Sequence, residues 1–188
     1  EPFMAAIEMI HTSSLVHDDL PCMDDDMIRR GKASTWAEYG EDIGVLAGDA
    51  LMMYAFETAS KAFDAAEDAD ALLRAGKAMG NLAAKTGVYG MIGGQTVDVE
   101  LAGGPVPKDK LDFIYRLKTG ALLQAAMLIG AVLGGAADED CKIVEDLAGK
   151  VGLAFQIQDD ILDVTGDASV TGKAAGSDEK NQKTTYVT

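Results

Sequence analysis

The sequence contains little cysteine, few basic residues and no long uninterrupted apolar run, and each shortage argues against a class of protein. Two cysteines, Cys22 and Cys141, cannot supply a disulfide framework and are expected to be free thiols of a reducing, cytoplasmic compartment. Lysine and arginine total 16 against 31 acidic residues, a formal charge of -15, which argues against nucleic acid and anionic membranes as main partners. No uninterrupted apolar run is expected to span a bilayer, and no secretory signal is recognised at the start, so no membrane anchor is predicted.

The length and composition suit a compact domain with a substantial core. The chain has 188 residues, of which 48% are hydrophobic. It opens inside a periodic apolar segment and stops in a polar tail. We therefore interpret residues 1–188 as a single domain that lacks N-terminal and C-terminal parts.

Apolar residues recur at helical spacing through most of the chain. Helices are predicted over 1 to about 20, 43–64, 68–101, 108–134 and 138 to about 164. Gly-Gly-Pro-Val-Pro at 103–107 forms the clearest loop. Because no segment shows the alternation of a strand, the pattern predicts an all-α protein.

An acidic cluster follows the first predicted helix. An ordinary acidic run is a solvated loop, but here an apolar helix leads directly into it, and carboxylates this close repel one another unless a multivalent cation holds them. Two arginines, Arg29 and Arg30, come just after it. The five aspartates of this cluster are Asp18, Asp19, Asp24, Asp25 and Asp26.

A second acidic cluster closes the last predicted helix, in the run FQIQDDILD. Asp159 and Asp163 are i, i+4 neighbours and share a helix face, and Asp160 lies between them. Like charges on a largely apolar helix are unfavourable unless a positive group lies near them. Two such clusters are harder to explain as solvated surface than one.

Carboxylate oxygens without histidine or thiolate suit magnesium, which prefers to share its shell with substrate phosphates. Basic residues that can contact phosphate accompany the clusters: Arg29, Arg30, Lys118, Lys173 and Lys183. Together they predict a phosphorylated substrate. Gln95 and Asp98 share a helix face, and the sequence leaves open whether they reach a ligand or pair with each other.

These motifs resemble those of the trans-prenyl diphosphate synthases, also called polyprenyl synthetases. HDDLPCMDDDMIRRGK is similar to the first aspartate-rich motif in its bacterial and plastid form, and FQIQDDILDVTGD is similar to the second. LAGDAL, the GGQ at 93–95, KTG at 118–120, and the GK and KTTY of the tail follow the family pattern in order. The resemblance implies an all-α helix bundle of the isoprenoid synthase type around a central apolar cavity, and a homodimer.

The resemblance also implies roles for individual residues. Asp18, Asp24 and Asp159 would be the main Mg²⁺ ligands, supported by Asp19, Asp160 and Asp163. Arg29 would bind the allylic diphosphate with Lys118, Lys173 and Lys183, whereas His11 and Arg30 would bind isopentenyl diphosphate. Thr119 and Gln156 would place oxygen dipoles near a developing carbocation.

The implied reaction condenses isopentenyl diphosphate with an allylic diphosphate after magnesium-assisted ionisation of the allylic C–O bond. Ser13 and Ser14 lie five and four residues before Asp18, where members that make short chains tend to carry an aromatic residue. One helical turn is about 5.4 Å, roughly one isoprene unit, so small serines there favour a product of C15 to C20, with C20 preferred. Ser13→Tyr is expected to shorten it.

Two alternatives remain open. A terpene cyclase shares the fold and the first motif, but its second motif usually mixes Asn or Asp with Ser or Thr and Glu. A non-catalytic subunit that keeps the fold is disfavoured by intact aspartates in both motifs. The chain also departs from the family pattern, because an upstream Gly-Lys and Arg segment and further C-terminal helices are not present, and ASTWAEYG replaces the usual Thr-Asn-His run.

Overall fold

A computed structural model describes residues 1–166 and 184–187, and these residues are almost entirely helical. The predicted all-α class is confirmed. The helices are α1 (Pro2–Asp18), α2 (Thr35–Tyr39), α3 (Glu41–Asp64), α4 (Ala69–Thr86), α5 (Met91–Glu100), α6 (Lys108–Ile114), α7 (Gly120–Leu133) and α8 (Asp138–Thr165). A π-helical turn, Tyr115–Thr119, joins α6 to α7. Two short strands, β1 (Ile28–Arg29) and β2 (Lys32–Ala33), complete the set within the described residues.

The chain divides into two compact units, Glu1–Met79 and Gly80–Thr188, whose boundary lies within α4. In the first unit, α1 and α2 pack against α3. The buried face of α1 recurs at three- and four-residue spacing and consists of Phe3, Ala6, Ile10, Ser13 and Val16. A Cβ on Gly48 of α3 would overlap the ring of His17, so the His17 ring can occupy this position between α1 and α3 because residue 48 is glycine.

In the second unit, α7 packs along α8, and the π turn contacts α5, α6, α7 and α8. Glycines again permit the close approaches. A Cβ on Gly152 of α8 would lie 2.8 Å from the Cα of Gly120. A Cβ on Gly94 of α5 would overlap the backbone nitrogen of Lys118.

The helix predicted over 68–101 is interrupted. The chain leaves the α-helix after Thr86 and re-enters it at Met91. A Cβ on Gly90 would overlap the carbonyl oxygen of Lys85, so this turn depends on glycine. Asp138 is the first residue of α8, and Ala137 holds the cap position without a side-chain hydrogen bond.

Two small elements were missed by the periodicity. The hairpin pairs Ile28 with Ala33 and Arg29 with Lys32. Its two-residue turn has positive φ at both positions, 52° at Arg30 and 76° at Gly31, the conformation that tight hairpins favour. The second missed element is α2, which is only five residues long and too short to show a helical period.

The continuous helix Lys108–Leu133 is long and apolar enough to cross a membrane by length and composition alone, with a mean hydropathy of 1.3 in its most apolar window. The expectation that no apolar run is long enough to span a bilayer therefore does not hold for this helix by length and composition alone. The same helix packs against α8 and α5 through its π turn and α7, and a core helix of this kind passes the same test.

Candidate active site

The first acidic motif begins where α1 ends. After Asp18 the chain folds back on itself, so that the backbone N–H of Asp24 donates to the carbonyl oxygen of Asp18 at 2.9 Å. The N–H of Asp26 donates to the carbonyl oxygen of Asp19 at 3.1 Å. Six residues apart in sequence, Asp18 and Asp24 are thus brought together at the level of the backbone. Asp25, at the tip of this fold, has a positive φ of 52°, which aspartate tolerates better than most residues.

Asp19 differs from Asp18 because it is buried and paired with an arginine. Its side chain is nearly inaccessible, since the residue is only 3% exposed. The Nε of Arg29 donates to both carboxylate oxygens, at 2.9 and 3.1 Å, and the Nη2 of Arg29 also contacts Oδ1. These hydrogen bonds with Asp19 raise the pKa of Arg29 above its ordinary value. The sequence placed both residues in the motif but gave no indication that they bind each other.

The two arginines of the motif lie in different environments. Arg29 is half-buried on β1, with Asp26 as a second carboxylate 3.8 Å away. Arg30 is exposed at the hairpin turn. The indole Nε1 of Trp36 donates to the carbonyl oxygen of Asp26 at 3.0 Å, so the segment that departs from the family pattern supports the acidic loop directly.

The serines before the first motif occupy two different faces of α1. Ser13 is fully buried, and its hydroxyl donates to the carbonyl oxygen of Gly48 on α3 at 2.9 Å. Ser14 is half-buried and donates to the carbonyl oxygen of His11 at 2.9 Å. Because it lies one turn before Asp18, Ser14 shares the face of that aspartate, together with His11.

In the second motif, Asp160 is buried and bonded to three donors. It is 2% exposed. The Tyr115 hydroxyl and the backbone N–H of Tyr186 donate to Oδ2 at 2.7 and 3.1 Å. The Nε2 of Gln156 donates to Oδ1 at 3.2 Å. Neither tyrosine was singled out from the sequence. The KTTY motif contains Tyr186, but the sequence assigned no role to this tyrosine.

The other two carboxylates of this motif are more accessible. Asp159 is exposed and Asp163 is half-buried, one turn apart on α8. Both motifs therefore bury the second aspartate of a pair and leave the first more open. The predicted distinction between main and supporting metal ligands stays a prediction.

The π turn presents Lys118 and Thr119 to neighbouring helices. Lys118 Nζ donates to Asp98 Oδ2 at 2.5 Å, so Asp98 pairs with a lysine across helices. The Thr119 hydroxyl donates to Gln156 Oε1 at 2.8 Å. The two residues predicted to lie near a carbocation are thus hydrogen-bonded to each other. A π turn inside an α-helix often marks a functional site.

Magnesium fits the chemistry of these side chains. No three His, Cys, Asp or Glu side chains of residues 1–166 and 184–187 converge closely enough to hold a metal unaided. The donors present are carboxylates, however, and Mg²⁺ in phosphate-transfer sites commonly takes only one or two carboxylates and completes its shell with phosphate oxygens and water. The accessible Asp159 and Asp163 meet that requirement. Lys173 and Lys183 lie outside the described residues, and every role assigned to a site residue stays a prediction.

Comparison with known proteins agrees with these motifs. The chain is 45% identical over 188 residues to the large subunit 1 of the heterodimeric geranylgeranyl pyrophosphate synthase of Arabidopsis thaliana chloroplasts, covering 98% of this chain and 50% of that protein. It is 43% identical over 185 residues to farnesyl diphosphate synthase of Geobacillus stearothermophilus, covering 98% of this chain and 61% of the relative. The chain thus spans about half to three fifths of the length of the curated relatives it matches.

Solved structures confirm the fold. A Helicobacter pylori geranyltransferase crystallised with magnesium and isoprenyl diphosphate superposes with a TM-score of 0.83 at 38% identity, covering 93% of this chain and 56% of that one. An FPP/GFPP synthase of Zymomonas mobilis gives 0.79 at 35% identity, covering 94% and 64% respectively. The polyprenyl synthetase family model matches residues 1–188. With both aspartate motifs within that match, the chain belongs to the polyprenyl synthetase family.

Proposed function

We propose that the protein of which this chain is part is a short-chain trans-prenyltransferase that condenses isopentenyl diphosphate with an allylic diphosphate. The observation that carries the proposal is the shared construction of the two acidic motifs. Each keeps one aspartate buried and bonded, Asp19 or Asp160, and leaves the preceding one more exposed, since Asp18 is half-buried and Asp159 is exposed. Relatives of about the same identity include both farnesyl and geranylgeranyl diphosphate synthases, which supports a product of C15 to C20.

Asp18, Asp24 and Asp159 are proposed to hold Mg²⁺, with Asp19, Asp160 and Asp163 in support. When bound there, Mg²⁺ would supply Lewis-acid charge to the diphosphate oxygens of the allylic substrate. Asp19 supports the first motif by fixing the Arg29 guanidinium, whose planar fork suits phosphate oxygens. Asp160 supports the second motif from a buried position.

The cations would divide between two diphosphates. Arg29, Lys118, Lys173 and Lys183 are proposed for the allylic diphosphate, and His11 and Arg30 for isopentenyl diphosphate. Arg29 and Lys118 are each preorganised by a carboxylate, Asp19 and Asp98, which limits the entropy lost when they bind an anion.

Thr119 and Gln156 are proposed to stabilise positive charge that develops on the allylic carbon. The Thr119 hydroxyl donates to Gln156, so its lone pairs remain directed away from that bond. Gln156 in turn donates to Asp160, which fixes the orientation of its amide. Fixed dipoles need no reorganisation at the moment of ionisation.

The direct test is incorporation of radiolabelled isopentenyl diphosphate by the full-length protein with Mg²⁺ and dimethylallyl, geranyl or farnesyl diphosphate as primer. We expect an acid-labile C15 to C20 product that requires both substrates. A cyclic hydrocarbon formed without isopentenyl diphosphate would identify a terpene cyclase instead. No turnover until a second polypeptide is added would identify a non-catalytic or heterodimeric subunit.

Product length offers a second test, because the two serines lie on different faces of α1. Ser14→Tyr is expected to shorten the product without lowering the melting temperature. Ser13→Tyr is expected to shorten it too, but with a loss of about 1–3 kcal/mol of stability, because the larger side chain displaces the contact with Gly48. An unchanged product distribution in both variants on chromatography would contradict a chain-length role for this turn.

We also propose that the protein acts as a homodimer in the cytoplasm. The exposed apolar side chains of α3 and α8 are compatible with a partner, and Cys22 and Cys141 are free thiols, as a reducing compartment requires. Light scattering of the full-length protein tests the dimer.

A further inference from the structure

Asp160 is connected to a group that the proposed reaction does not use. The segment Thr184–Val187 binds to α6 and to the loop before it. The backbone N–H of Val106 donates to the Thr184 hydroxyl at 3.1 Å. Tyr186 packs on the small buried cluster of Leu111, Ile114 and Tyr115. This segment therefore has a defined position at the second acidic motif.

The side chain of Tyr186 is held from three directions. Its hydroxyl donates to Asp112 Oδ1 on α6. Its ring meets the ring of Tyr115 edge to face, with centroids 5.2 Å apart and planes inclined by 60°. Lys108 Nζ lies 5.4 Å from the ring centroid and also bonds both carboxylate oxygens of Asp112, at 3.0 and 2.8 Å. Few rotamers satisfy all three contacts, so the backbone of residue 186 is fixed as well.

That backbone supplies one of the donors to Asp160. The N–H of Tyr186 and the hydroxyl of Tyr115 share Oδ2, at 3.1 and 2.7 Å. The remaining oxygen accepts from Gln156, which itself accepts from Thr119. A continuous series of hydrogen bonds thus leads from Asp112 on α6 through Tyr186 and Asp160 to Gln156 and Thr119.

We propose that Tyr186, anchored by Asp112, is a positioning residue that fixes the Asp160 carboxylate and, through it, Gln156 and the metal-binding face of α8. The expected effect on catalysis rests on the proposed prenyl transfer, whereas the hydrogen bonds that position Asp160 do not depend on it. Loss of the anchor frees the backbone of residue 186, Asp160 loses a donor, and the carboxylate and amide of α8 take up several orientations instead of one. Outer partners of this kind typically change metal affinity or activity by about 10- to 100-fold.

The test uses the full-length protein and removes the anchor from both sides. Tyr186→Phe deletes the hydroxyl but keeps the ring and the backbone N–H, and Asp112→Asn weakens the same contact from α6. Tyr89→Phe makes the same chemical change at a tyrosine that is 92% exposed, so it serves as the matched control. Calorimetry measures Mg²⁺ binding in the presence of inorganic pyrophosphate, and steady-state kinetics measure kcat and KM separately.

Tyr186→Phe and Asp112→Asn are each expected to weaken Mg²⁺ binding and lower kcat by about tenfold, with KM for isopentenyl diphosphate unchanged. The double variant should be no worse than either single variant, because both remove one contact. Tyr89→Phe should alter none of these values. If the variants melt at a lower temperature but keep wild-type Mg²⁺ affinity and kcat, the segment is only a structural anchor and the proposal is overturned.

The two proposals fail in distinguishable ways. A wild-type protein that binds Mg²⁺ and pyrophosphate but transfers no prenyl group contradicts the proposed reaction, whereas the calorimetric comparison of Tyr186→Phe with Tyr89→Phe still decides the positioning role. If Tyr186→Phe does not fold, Asp112→Asn gives the same comparison. A wild-type protein that binds no Mg²⁺ under these conditions overturns both.

Discussion

The two acidic motifs bury a carboxylate by opposite means. Asp19 is held by a charged partner, the Arg29 guanidinium, on a hairpin that follows its helix. Asp160 is held by neutral donors, Tyr115, Gln156 and a backbone N–H, near the C-terminal end of an unbroken helix. A charged partner is also a ligand for phosphate, whereas neutral donors only orient. In the proposed function, the first motif would therefore bind both metal and anion, whereas the second would hold a metal ligand in one orientation.

The largest expected effect comes from the accessible member of each pair. Asp18→Ala and Asp159→Ala should each lower kcat by at least about 100-fold at saturating Mg²⁺, because each removes a proposed metal ligand. Initial rates with geranyl and isopentenyl diphosphate measure this. Asp64→Ala, at an exposed aspartate that ends α3, serves as the control. If only one of the two variants lost activity, the two motifs would not play equivalent roles.

The buried members should differ in stability. Asp19→Asn removes the nearer and buried carboxylate partner of the Arg29 guanidinium, leaving only Asp26 at 3.8 Å among the carboxylates that pair with it, and should cost about 3 kcal/mol. Asp160→Asn turns an acceptor into a donor that faces the N–H of Tyr186 and should cost about 1–3 kcal/mol. Urea unfolding measures both. The double variant Asp19→Asn, Arg29→Met should recover part of the loss, whereas no recovery would argue against the ion pair as its cause.

Two glycines sharpen the same comparison at the level of helix packing. In Gly152→Ala the new methyl group would lie 2.8 Å from the Cα of Gly120, a backbone atom that cannot rotate away. In Gly48→Ala the new methyl group would overlap the ring of His17, a side chain that can rotate away. We expect losses of about 3 and about 1 kcal/mol respectively, measured by thermal unfolding. Gly130→Ala on α7, where a Cβ meets no atom within 4 Å, controls for the substitution itself.

The smallest effect concerns pH. Hydrogen bonds from Lys108 and then Tyr186 lower the pKa of Asp112 below its ordinary value of 3.8. A carboxylate with a lowered folded-state pKa contributes stability above about pH 4 that is lost as the pH falls through the folded value. Melting temperatures of the wild type should therefore fall more steeply below pH 4 than those of Asp112→Asn. Parallel curves would contradict the assignment.

Local patterns predicted much of this molecule, and contacts between distant residues explain what they left out. The helices that carry both motifs, and the motifs themselves, follow from periodicity and from the spacing of Asp18, Asp24, Asp159 and Asp163. The Asp19–Arg29 pair spans 10 residues, Tyr115–Asp160 spans 45 and Tyr186–Asp112 spans 74. No local pattern distinguishes a buried aspartate from its exposed neighbour, because the difference depends on which distant donors arrive.

The sequence did not predict the break between α4 and α5. The flanking apolar residues keep their helical spacing across Gly87 to Gly90, so the pattern favours one continuous helix. The turn is possible because residue 90 is glycine, since the carbonyl oxygen of Lys85 leaves no room for a Cβ there. Such a steric restriction depends on the path of the backbone, which a sequence pattern does not reveal.

The π turn Tyr115–Thr119 sets the rotational phase between α6 and α7. A π turn holds one residue more than the α turn it replaces, so the helix after it is rotated by about 100° from the position that a regular helix would give it. The extra residue lets α6 direct Asp112 toward Tyr186 while α7 directs Gly120 toward Gly152, although the two belong to one continuous helix. Deletion of Leu117 would restore a regular helix and turn one of these faces away from its partner.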